Sequence, residues 1–167
     1  FEMSALRILR RGKEMTGRED KKANDLFYTC SLIEYIARKT KNKPSDIVGY
    51  LGEAVIRKIY DLADVYHSDN IDRVSDDFIE ACHIPKGNFD NVAECRYSIP
   101  THWDIGKVYK RLILSAAKDS GGDIIKALID VYCSFVSDLI ENYNSSFYYE
   151  NPQTIYYTYV SKELNDT

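Results

Sequence analysis

The sequence predicts an all-α fold, a compact helical bundle of two small lobes joined by a long connection. Three observations predict it. Apolar residues recur at helical spacing through most of the 167 residues. No alternating stretch is bounded by a hairpin turn. A 44% apolar, 29% charged composition is ordinary for a globular chain, and a chain of this length can bury a core without covalent staples.

Residues 1–20 are basic and weakly patterned. Leu6, Ile8 and Leu9 could start a short helix, which Gly12 and Gly17 should interrupt, so the segment reads as a basic arm or appended segment. The N-terminal lobe is placed at 21–83. Asn24 and Asp25 mark a helix start before Leu26, Cys30, Ile33 and Ala37, and Arg38, Lys39, Lys41 and Lys43 suit its carbonyl end. Ser45 and Asp46 cap a short helix between Pro44 and Gly52. Val55, Ile56, Ile59, Leu62, Ala63 and Tyr66 form the stripe of the next helix, which His67-Ser68-Asp69-Asn70 breaks. Ile71, Val74, Phe78 and Ile79 mark another, ending near Cys82.

Residues 84–100 hold Pro85, Gly87, Asn88, Asn91 and Pro100 and read as the ordered connection. The C-terminal lobe, 101–167, begins with Thr101 as a cap. Trp103, Ile105, Val108, Tyr109, Leu112, Ile113 and Ala116 follow at helical spacing. Ser120-Gly121-Gly122-Asp123 joins a stop to a start. Ile124 to Ile140 is apolar nearly all round and reads as one buried central helix. Asn144-Ser145-Ser146 ends it, and Pro152 opens a last helix in a tyrosine-rich tail.

Charge and composition narrow the function. The net charge of −4 gives the whole chain no general attraction for nucleic acid. Residues 1–22 carry seven basic residues against four acidic ones, so a DNA-associated regulator could act only through that segment. Residues 61–80 carry seven acidic residues against the single basic Arg73, a face suited to a basic partner or simply to solvent. Cys30, Cys82, Cys95 and Cys133 form no C-x-x-C pair. Cys30 and Cys133 fall on apolar stripes and read as core. Cys82, His83, Cys95 and His102 have zinc-ligand chemistry but not zinc-ligand spacing, so no metal or other cofactor is expected. No apolar run approaches a membrane span and no secretory signal is seen, which makes the cytosol the expected compartment.

Catalytic candidates are few. Arg96 and His102 match the loose Arg-x4–6-His spacing of HEPN-type ribonucleases, in which the Arg holds phosphate and the His moves a proton, although Pro100 sits inside the pattern. A protein-binding surface is the fuller reading. Fourteen tyrosines offer large contact area with few rotatable bonds. Trp103, Lys107, Tyr109 and Arg111 mix aromatic and basic groups; Tyr148 and Tyr149 stand beside polar, adaptable residues; Tyr66, His67 and Asp69, within the acidic stretch, are further partner-binding candidates.

Residues 27–80 carry a resemblance. The stretches are Phe27-Tyr28-Thr29-Cys30-Ser31-Leu32-Ile33-Glu34-Tyr35-Ile36-Ala37, Lys43 to Val48, and Tyr66-His67-Ser68-Asp69-Asn70-Ile71 leading to Asp76-Asp77-Phe78-Ile79. They resemble a bacterial family of small uncharacterised helical proteins often encoded beside proteins with a predicted ADP-ribosyltransferase fold. The resemblance implies an antitoxin-like partner that neutralises or accompanies an ADP-ribosyltransferase-like toxin. It supplies no catalytic residue.

Overall fold

A computed structural model describes the backbone of residues 2–165 and the side chains of residues 17–162. Among the described residues it holds nine α-helices and no strand: α1 Glu2–Thr40, α2 Pro44–Asp61, α3 Ala63–His67, α4 Ile71–Ala81, α5 Asn91–Glu94, α6 His102–Asp119, α7 Ile124–Tyr132, α8 Phe135–Glu141 and α9 Pro152–Asn165, with a 3₁₀ turn at Phe147–Tyr149. The all-α class read from the sequence holds.

The core is continuous across both expected lobes, because α1 packs mainly against α6 and α2, and α6 against α7. Leu26, Cys30, Ile33 and Ile36 from α1 meet Ile105, Tyr109, Leu112 and Ile113 from α6 in one buried cluster. Close approach of these two helices depends on Gly106. A β-carbon there would collide with Ser31, whose Cα would lie only 3.0 Å away.

Several boundaries follow the expected chemistry. Thr101 Oγ1 accepts the Asp104 N–H at 3.0 Å while Asp104 Oδ2 accepts the Thr101 N–H at 2.9 Å, a reciprocal capping box. Asn70 and Asp123 cap α4 and α7 through their side chains. The backbone of α2 breaks at Gly52, whose φ of +78° suits a residue without a β-carbon.

Others differ. The first helix does not start at Asn24 but runs unbroken through Gly12 and Gly17. A helical glycine costs about 1 kcal/mol against alanine, which a long, partly packed helix can carry. The basic side chains Arg7, Arg10, Arg11 and Lys13 lie outside the described residues; Arg18, Lys21 and Lys22 are exposed. The expected single helix 124–140 is two, α7 and α8, because the chain turns at Cys133 and Ser134. Ser134 Oγ donates to the Val131 carbonyl at 2.7 Å, drawing off a helical acceptor. Cys133 is therefore exposed rather than core, whereas Cys30 is fully buried.

Candidate functional site

Two aromatic assemblies and one buried polar cluster gather the chemistry of the molecule. The first assembly is a seam where α1, α3 and the start of α6 meet. Trp103 is half-buried and stacks on Phe27 at 5.6 Å and on His67 at 5.9 Å between ring centroids. His67 also stacks on Tyr28 at 5.2 Å. His102 lies 4.8 Å from Trp103 and meets the edge of Tyr35 at 5.0 Å. Tyr66 packs edge-on against Phe78 at 5.4 Å. The Tyr35 hydroxyl and Lys39 Nζ each donate to Asp72 at 2.7 Å, and Lys39 also pairs with Asp76. Part of the acidic run is thus used to fasten α4 to α1. Asp69 is exposed and accepts the Asn70 N–H.

The second assembly is an open hollow of about 420 Å³ lined by Tyr97, Tyr143, Asn144, Ser145, Ser146, Tyr148 and Tyr149. Tyr97 is 69% exposed and Tyr149 73%. Their frame is fixed. Asn144 Nδ2 donates to the Glu94 carbonyl at 3.0 Å, Asn144 Oδ1 accepts the Arg96 N–H at 2.8 Å, and Asn91 Nδ2 donates to the Glu141 carbonyl at 2.9 Å. Tyr148 leans on Tyr149 at 4.4 Å and meets Tyr143 edge-on at 5.9 Å.

The buried cluster lies behind this hollow. Glu34 of α1 and Glu141 of α8 are 1% and 4% exposed. Arg38 Nη2 donates to the Tyr143 hydroxyl at 3.0 Å and to the Pro100 carbonyl at 2.7 Å. The hydroxyls of Tyr143 and Tyr109 donate to the two oxygens of Glu141 over long 3.4 Å contacts, and Tyr109 shares a 2.8 Å hydrogen bond with Ser137. Burial holds both carboxyls above the ordinary range, with the Glu141 charge adding to the shift of Glu34 and Arg38 opposing it at both. The same burial pushes the Tyr109 and Tyr143 hydroxyls upward.

The structure sorts the expected site residues. Lys107 and Arg111 are exposed one turn apart on α6. Tyr109 is not a surface anchor; it is 0% exposed and stacks on Tyr132 at 4.1 Å. Its place in the Ile105–Leu112–Ile113 stripe outweighs its interface-like neighbours in the sequence. Tyr148 is also buried, at 8%, leaving Tyr149 as the exposed member of that pair. Arg96 presents its side chain to solvent, and no hydrogen bond joins it to His102 among the described residues. His102 Nε2 is buried without a partner, and burial followed by the nearby Arg38 charge lowers its pKa, favouring the neutral ring. Among the described residues no group of three or more His, Cys, Asp or Glu could hold a metal ion, and no helix is long and apolar enough to cross a membrane.

From the sequence, Arg38 stands out only as a cation at a helix end and Glu34 only within the resembling stretch, and Glu141, Tyr143 and Tyr97 do not stand out. A signal existed for the glutamates, since Glu34 follows Leu32-Ile33 and Glu141 follows Leu139-Ile140, charges set inside apolar stripes. Tyr97 sits in the irregular connection, where no periodicity reports burial. In comparisons with known proteins, no family model matches the chain, and neither a curated protein nor a solved structure matches it significantly.

Proposed function

We propose that this chain is a protein-recognition module that seats an apolar side chain of a protein partner in the Tyr97–Tyr149 hollow. Following the resemblance of residues 27–80, the partner class is an ADP-ribosyltransferase-like protein that this chain neutralises or accompanies. The single observation that carries the recognition reading is a pair of largely exposed tyrosines on a hydrogen-bonded frame. Exposed aromatic rings carried on a fixed backbone offer large contact area with few rotatable bonds to order on binding. The rim of Asn144, Ser145 and Ser146 adds adaptable donors and acceptors around them, the Tyr/Ser/Asn mixture that antibody loops use for protein surfaces.

The test is calorimetric titration of the flanking-gene products, the ADP-ribosyltransferase-like one first, into wild-type protein and into Tyr97→Ala and Tyr149→Ala. The expected result is a one-to-one complex that each substitution weakens about tenfold or more, as for an interface anchor. Absence of binding at micromolar concentration, or equal affinity in all three proteins, counts against the reading.

A further inference from the structure

The buried glutamates present a charge balance that the fold alone does not satisfy. Glu34 is almost wholly enclosed, yet neither of its carboxyl oxygens has a hydrogen-bond partner. Glu34 neighbours Glu141 and Arg38, so a single proton held between the two carboxyls would give Glu34 the partner it otherwise lacks. Facing the pair are Arg38 and Cys30 from α1, Tyr109 from α6, Tyr132 from α7, Ser137 from α8 and Tyr143 just beyond it. His102 and Lys110 stand one layer out, beside Arg38 and Cys30. Among the described residues the guanidinium of Arg38 is the one cation in the inner layer, and it can balance one carboxylate, not two. Enclosing a second, unbalanced carboxylate is strongly disfavoured.

Tyr143 belongs to both parts of the molecule. Its hydroxyl joins Arg38 to Glu141, and its ring lines the hollow and supports Tyr148, on which Tyr149 leans. We propose that Glu34 and Glu141 share a single proton in the folded protein, and that this proton latches Tyr143 and so holds the aromatic hollow in its binding shape. The hollow's role as a recognition surface rests on the reading above; the latch itself does not.

The sign of the pH effect follows from the carboxyls being raised in the folded state. Their contribution to stability is fully present below the ordinary carboxylate range and is lost as pH rises through the raised folded-state value. Alkaline conditions should therefore loosen residues 141–149, and mildly acidic conditions should tighten them.

The experiment follows the side-chain carboxyl carbons of Glu34 and Glu141 by NMR titration, together with hydrogen exchange across 141–149, in wild type, Glu34→Gln and Glu141→Gln. In wild type, at least one carboxyl should titrate well above the ordinary glutamate value. Exchange in 141–149, corrected for intrinsic base catalysis, should rise about tenfold or more between about pH 6 and pH 9. The glutamine in each variant mimics the protonated member, so exchange there should change by less than about twofold over the same range. Ordinary titration of both carboxyls, or an equal rise in exchange in wild type and variants, overturns the proposal. Should a variant fail to fold, the wild-type carboxyl titration decides alone. None of these readouts needs a partner. Partner binding with ordinary carboxyl titration sinks the latch only; a shifted titration without any partner binding sinks the recognition reading only.

Discussion

The two aromatic assemblies use the same kinds of ring and differ in what surrounds them. In the seam, Trp103 has Phe27, His67 and His102 as neighbours, and the rings close the junction of α1, α3 and α6. In the hollow, Tyr97 and Tyr149 are largely exposed, and the hydrogen bonds of Asn91 and Asn144 fix the backbone instead. The seam uses ring stacking to join helices, whereas the hollow uses polar side chains to hold rings outward. Tyrosine and tryptophan content therefore does not locate an interface by itself. The support beneath each ring does.

Substitutions should separate the two. Trp103→Ala should be the most destabilising, by about 3 kcal/mol, because it removes a half-buried ring from three aromatic neighbours. Chemical denaturation measures this, and folded protein should keep its partner affinity. Tyr143→Phe should cost about 2 kcal/mol, since it deletes a hydroxyl that links the charged Arg38 to Glu141. Thr101→Ala should cost about 1 kcal/mol by leaving the Asp104 N–H uncapped at the start of α6. Tyr149→Ala should move stability by less than about 0.5 kcal/mol while weakening binding most among these four. A reversed order for Trp103 and Tyr149 would dissolve the distinction between seam and hollow. His102→Ala gives a separate check on the ribonuclease alternative: loss of RNA cleavage with helical content intact would support it, and equal activity would sink it.

Periodicity made the helical fold legible. The stripes at Leu26–Ala37 and Ile105–Ala116 are the core of α1 and α6, and the Thr101 and Asp123 caps fall where their chemistry puts them. The same stripe contained the warning that Tyr109 is buried. The break at Ser134 was hidden because the flanking residues are apolar on both sides and a single small polar residue marks the turn. The candidate site was less legible for a physical reason. His67 of α3 and Trp103 of α6 meet across 36 positions of sequence, and Glu34 of α1 neighbours Glu141 of α8 across 107, so only tertiary packing brings them together. Tyr97 and Tyr149 likewise become one surface through Asn144, whose side chain ties the connection to the segment after α8.

The most direct test of the recognition reading is hydrogen exchange of the protein with and without its bound partner. New protection should concentrate at residues 95–99 and 143–149, with little change along the acidic residues 61–80. Protection confined to 61–80 or to the seam, with the hollow unchanged, would contradict it.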